Sequence, residues 1–418
     1  MSAEFNIIEH TICAAHIREY PRATARSQDV ALLQHVKQYV PKDNPTPRKG
    51  DITIVGAHGV GYPKELYEPL WDDLQRQLRA RGIRIRSIWV ADAPWQCYSG
   101  LLNEGDLGND PSWNDYARDI AHMINVFRMP RPLFAAGHSF GAAAMVHLSL
   151  QHPRLFHGML LLEPFICFTD FSTKLLGRFP AASAVLRRDT WPSRESAADH
   201  FRKSKLYGRW DPRALDKWIE HGVRGVPGSD KGEVTLLTSK HQEQLTYIRL
   251  SAAAFDPAGD NVIRPDKAPD LDSSLKHKYA MYPMYRPEPN QTMASLAHLR
   301  PAALYVTGDK SFTRWPEFDG DQPSVTGCGA GGSGGLEAGR VKQVTHPDCG
   351  HDMPMEAPWF CASEAAKWLA LELDRWWAEE REFEQWARKP LADKIAVEKD
   401  YMKQIEGLRR GSRVPAKI

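Results

Sequence analysis

Five residues, Gly137-His138-Ser139-Phe140-Gly141, constrain this 418-residue chain more than any others. An apolar run, Pro132–Gly137, leads into them, and Ala142, Ala143 and Ala144 open the helix-like segment Phe140–Gln151 that follows. A strand that turns this sharply into a helix holds the serine in a strained backbone conformation. Only small neighbours fit, and glycines stand at 137 and 141. The turn lifts the serine hydroxyl above the sheet. It also aims the Phe140 N–H and the helix dipole at negative charge developing on a substrate. Ser139 is thus the candidate nucleophile and Phe140 one candidate oxyanion donor. An aspartate at this turn would form an alkyl ester; a serine points to acyl transfer.

The rest of the first half repeats the strand–helix rhythm of a doubly wound, mostly parallel sheet. Phe5–Ile12, Leu32–Val40, Asp51–Gly56, Ile83–Val90, Pro132–Gly137 and Gly158–Leu162 read as strands, and Glu65–Arg81 and Ser112–Phe127 as helices. From about Phe165 to Arg300 the rhythm stops, in a stretch rich in charge and proline with helix-like pieces at Arg194–Lys205 and Pro212–His221. That is too long for a simple loop and reads as a largely helical cap over the site. Strands return at Ala302–Thr307 and Val341–Val344, followed by a long helix, Glu364–Arg388. Its Trp368, Leu369, Leu373, Trp376 and Phe383 recur at helical spacing and read as core. The chain therefore divides into a core part over 1–164, the insertion over 165–300, a second core part over 301–390 and a tail over 391–418.

Composition narrows the function. A net charge of +2 argues against nucleic-acid binding, which usually shows a strongly basic face. The most apolar long stretch, Leu133–Leu150, contains His138, Ser139 and His147 and reads as a buried strand and helix, so no membrane span is expected. Glu4, Glu9 and His10 stand where a secretory signal needs an apolar run. Six cysteines lie scattered without metal-ligand or disulfide-framework spacing, which fits a reducing compartment and no metal site.

Three further positions complete the chemistry. His58-Gly59-Val60-Gly61 follows the third strand, where the backbone can approach a substrate closely, and the Val60 amide is the second candidate oxyanion donor. Gly350-His351 lies after the last strand and before the long helix, so His351 is the candidate base; His346 competes but ends a strand and lacks a preceding glycine. Two residues could supply the acid. Asp309 follows the strand Ala302–Thr307 but sits directly after Gly308, one or two residues earlier than the usual spacing. Glu163 ends the strand beside that of the nucleophile and would be costly to bury without a partner such as His351, so it is favoured. No cofactor is required. A glycine-rich run, Gly327-Cys328-Gly329-Ala330-Gly331-Gly332, lacks the flanking strand and helix of a dinucleotide site and reads as a flexible loop near the site mouth.

With these motifs in place, the chain resembles the fungal peroxisomal α/β-hydrolases of secondary metabolism. That group includes an acyl-CoA hydrolase of mycophenolic acid biosynthesis and the Alternaria AK-toxin-type hydrolases. The likeness runs through His16–Pro21, His58 with Pro63–Trp71, Gly137–Gly141, Trp191–Arg194, Tyr285–Pro289, Gly331–Gly335, and Gly350-His351 with Met353-Pro354. It implies the α/β-hydrolase fold, an acyl-CoA thioester substrate, a peroxisomal location and a homodimer. The family's serine and histidine fall on Ser139 and His351, and its aspartate on position 163, where this chain has Glu163. Ala416-Lys417-Ile418 resembles a variant of the S-K-L address that a peroxisomal import receptor reads. A carboxylesterase, a lactonase or an acyltransferase would use the same machinery. A binding protein without catalysis would be expected to have lost the serine, the histidine or the elbow glycines.

Overall fold

The computed structural model describes residues 2–169, 180–250, 252–258, 261–271, 284–316 and 318–411; Ala416-Lys417-Ile418 lies outside them. Eight strands form one sheet: β1 (Phe5–Cys13), β2 (Leu33–Pro41), β3 (Ile52–Ala57), β4 (Ile85–Ala91), β5 (Leu133–His138), β6 (Gly158–Leu162), β7 (Ala302–Gly308) and β8 (Val341–His346). Their spatial order is β1-β2-β4-β3-β5-β6-β7-β8. Strand β2 runs antiparallel to β1 and β4, and all other neighbours pair in parallel.

The burial pattern explains which strands are central. Every residue of β3, β5 and β6 is buried, as expected for strands with a helix layer on each face. Edge strand β8 instead exposes Lys342, Gln343 and Thr345. The chain passes from β3 outward to β4, then returns to the other side of β3 as β5. Neighbouring strands that diverge in this way leave a crevice at their carboxyl ends, and ligands bind there in open α/β sheets. The loops after β3 and β5 carry Val60 and Ser139.

Helix α1 (Glu68–Arg79) buries Leu70, Trp71, Leu74 and Leu78. The helix expected over Glu65–Arg81 begins later. Pro69 suits a first helical turn, so residues Lys64–Tyr67 form a 3₁₀ turn ahead of it. Helices α2 (Trp113–Val126) and α3 (Phe140–Gln151) follow β4 and β5. Between β6 and β7 lie α4 (Pro180–Leu186), α5 (Arg194–Lys203), α6 (Pro212–His221) and α7 (Lys240–Tyr247), with short antiparallel pairings among them.

Two compact units emerge, Met1–Glu372 and Leu373–Ile418, and α8 (Pro358–Ala387) contributes to both. Within the first, Trp368 and Leu369 are buried. Within the second, Trp376 is buried as the spacing predicts, but Phe383 is half exposed against Trp386, so the spacing misleads only at that position. The second unit ends in α9 (Lys399–Gly411). Among the described residues no helix is long and apolar enough to cross a membrane.

Candidate active site

Ser139 sits between β5 and α3 with φ 55° and ψ −119°. A non-glycine residue in that region costs on the order of 1–3 kcal/mol, so surrounding packing must hold it. The close approach is visible at Gly141, where a Cβ would lie 2.5 Å from the His58 carbonyl oxygen and 2.6 Å from that of Ala57. The loop after β3 therefore presses directly on the elbow.

His351 Nε2 lies 2.8 Å from Ser139 Oγ, and its Nδ1 lies 3.2 Å from Glu163 Oε2. A carboxylate, an imidazole and a hydroxyl thus stand in one line, in the arrangement that lets the imidazole take the serine proton and remain stabilised when charged. Glu163 is fully buried, and burying its charge demands partners. It accepts hydrogen bonds from the Gly308 N–H and Ser311 Oγ, and from Thr313 Oγ1 at 3.2 Å. Ser311 is the more telling contact. It occupies the stretch after β7 where an acid is usual, and it donates to the carboxylate that follows β6.

The other acid is placed elsewhere. Asp309 is largely exposed, and its carboxylate lies 3.7 Å from Arg314 Nη1. His346 packs its ring on Phe360, with centroids 4.9 Å apart, rather than on Ser139.

The oxyanion candidates lie on the elbow and on the loop after β3 that presses on it. Phe140 begins α3, so its N–H is one of the first-turn donors that a helix leaves without an internal acceptor. Around Val60 the neighbouring amides are engaged: Gly59 N–H donates to Tyr67 Oη at 2.8 Å and Gly61 N–H to Gln96 Oε1 at 2.9 Å. Val60 itself lines the cavity that opens above His351.

Residues 54–362 match the model of the alpha/beta hydrolase family. The chain belongs to the α/β-hydrolase family. It is 38% identical to the type I acyl-CoA thioesterase mpaH of Penicillium roqueforti, over 98% of this chain and 97% of that protein. A second type I acyl-CoA thioesterase mpaH, from Penicillium brevicompactum, is 40% identical over 92% of each chain. Among solved structures the peroxisomal α/β-hydrolase Lpx1 of Saccharomyces cerevisiae superposes with a TM-score of 0.68 over 99% of both chains, at 16% identity. That likeness establishes the fold.

In this hydrolase a cavity of about 630 Å³ reaches the site at Val60 and His351. The insert contributes Trp191, Phe201 and Leu236 to its wall, and the segment after β7 contributes Phe312 and Trp315. Arg188, Arg209 and Lys310 also line it; Arg209 reaches Glu356 at 2.7 Å and Lys310 reaches Asp348 at 2.8 Å. Deeper in, Arg187 pairs with Glu243. Burial pushes the Glu243 carboxyl up to about 7, against the opposing pull of Arg187. Neither residue carried a sequence signal, because the pair spans 56 positions.

The glycine-rich run does not line this cavity. Gly327 N–H donates to the Leu296 carbonyl at 3.0 Å and Gly329 N–H to that of Ala297 at 2.8 Å. It is a hydrogen-bonded turn against the segment that enters β7, not a loop at the site mouth.

Proposed function

We propose that the protein is a serine thioesterase that hydrolyses acyl-CoA. The observation that carries this reading is the line Ser139–His351–Glu163 beneath a cavity with apolar walls and cations among its lining residues. Two relatives of 38% and 40% identity named type I acyl-CoA thioesterase support it. The acyl chain suits the aromatic walls, while Arg188, Arg209 and Lys310 suit the phosphates of the CoA nucleotide.

In the reaction, His351 removes the Ser139 proton as Oγ attacks the thioester carbonyl. The Val60 and Phe140 amides take up the oxyanion. Collapse breaks the carbon–sulfur bond, and His351 protonates the departing thiolate. Water, deprotonated by His351, then attacks the acyl-serine, and the tetrahedral adduct releases the free acid as Ser139 regains its proton. Glu163 orients the imidazole and stabilises its charged form throughout. Resemblance to the fungal peroxisomal hydrolases of secondary metabolism supports a peroxisomal site of action; a tagged full chain should coincide with a peroxisomal marker, and diffuse cytosolic signal would contradict this.

Free-thiol release from a panel of acyl-CoAs, run beside nitrophenyl esters, tests the activity. Serine-dependent turnover that favours the thioesters is expected. Cleavage of esters alone would make the protein a carboxylesterase or lactonase with the same residues.

A further inference from the structure

His138 takes no part in these steps, yet it is fully buried and touches two loops of the site. Its Nδ1 lies 2.7 Å from Tyr67 Oη and its Nε2 lies 2.9 Å from the backbone carbonyl oxygen of His351. Tyr67 Oη also accepts the N–H of Gly59, the residue before Val60, at 2.8 Å. The Tyr62 ring lies parallel to the imidazole, 2° apart in plane with centroids separated by 5.9 Å. The Tyr62 hydroxyl donates to Asp352, next to His351, at 2.7 Å.

One arrangement of protons satisfies all of these pairs. A backbone carbonyl only accepts, so His138 Nε2 carries a proton and donates to His351. A backbone N–H only donates, so the Tyr67 oxygen receives Gly59 and its own proton is left for His138 Nδ1. That nitrogen must then be bare. A second proton on the ring would create a buried cation, and burial, with the His351 ring beside it, holds the His138 pKa at about 3. Sterics agree: a Cβ at Gly59 would stand 2.7 Å from His138 Nδ1, so only glycine lets the loop close on the imidazole.

We propose that His138, fixed by Tyr67 as its neutral Nε2–H tautomer, is a positioning residue that holds the His351 loop and the Gly59–Val60 turn in register with Ser139. This rests on the catalytic reading of Ser139 and His351. A base that must reach Ser139 and Glu163 at once tolerates little drift, and a misplacement of about 1 Å costs about 100-fold in rate. The elbow thus aligns the base and one oxyanion donor through a single ring.

The test begins with the full chain labelled with ¹⁵N-histidine, His138 being assigned by its absence from the spectrum of His138→Gln. A protonated Nε2 and a bare Nδ1 are expected; a protonated Nδ1 overturns the proposal. In turnover, His138→Phe fills the space without a donor, and kcat should fall about 100-fold with KM within about twofold. His138→Gln keeps an N–H for the His351 carbonyl and should restore kcat to within about tenfold of the wild type. Unchanged kcat in His138→Phe overturns the proposal too. Should that variant not fold, the tautomer of the wild type decides alone. Retained thioester turnover in Ser139→Ala would instead remove the catalytic reading while leaving the tautomer measurement unaltered, so the two failures are distinguishable.

Discussion

The carboxyl edge of the sheet and the insert between β6 and β7 both contribute to the cavity, but they are specified in different ways. At the edge, each functional group sits on a strand end or a tight turn, whose geometry a few adjacent residues dictate. Ser139 at φ 55° needs Gly141 two positions away. In the insert, the cavity wall is built from side chains that meet across long separations, as Arg187 and Glu243 do over 56 positions. The edge is therefore specified locally and the cavity wall is not, an arrangement in which different sites can be carried on one fold.

The sharpest way to break this contrast is at the acid. Glu163→Gln should lower kcat by about 10³- to 10⁴-fold, while Asp309→Asn should stay within about twofold, both read by thiol release. The reverse result would move the acid to the strand end after β7 and remove the role given to Ser311. Next in size, Gly141→Ala should lower stability by about 3 kcal/mol or more, because its Cβ meets two backbone carbonyls that cannot retreat cheaply. A denaturant midpoint equal to that of the wild type would mean that the elbow is less constrained than its contacts imply.

His138 gives an intermediate effect with a defined sign. Burial holds its folded pKa at about 3, below the ordinary imidazole value of about 6.5. Below pH 6.5 the unfolded chain binds a proton there that the native state refuses, so stability contributed by this group falls as pH drops towards 3. The full loss is at most about 5 kcal/mol. His138→Gln should flatten the difference in unfolding free energy between pH 7 and pH 4; an equal slope in both proteins would contradict the buried neutral ring. Smallest is the insert itself. Arg187→Met should reorder acyl-CoAs of different polarity by about tenfold in kcat/KM with little change at the serine. An unchanged order would mean that the cavity does not read the acyl chain.

The same division explains how much could be read before the structure. All eight sheet strands were visible between turn signals, and Ser139, Glu163, Val60 and His351 stood out by their positions after strands. The meeting of Glu163 with His351 was readable because Glu163 ends an apolar run that no unpaired carboxylate would end. Its anchor, Ser311, was not, since a hydroxyl among polar residues carries no periodic or motif signal. His138 was in view as an elbow residue, but its role depends on Tyr67 and on the His351 carbonyl, which no local pattern connects to it. Phe383 shows the converse failure: helical spacing predicts burial only where a core exists to receive it.

We propose that Ser139, driven by His351 and Glu163, is the nucleophile that cleaves the thioester. Titrating the protein with a fluorophosphonate, which labels activated serines, while following thiol release from an acyl-CoA tests it most directly. Label should accumulate to one equivalent on the peptide bearing Ser139, with turnover falling in proportion. Turnover that persists with Ser139 fully labelled would contradict the account.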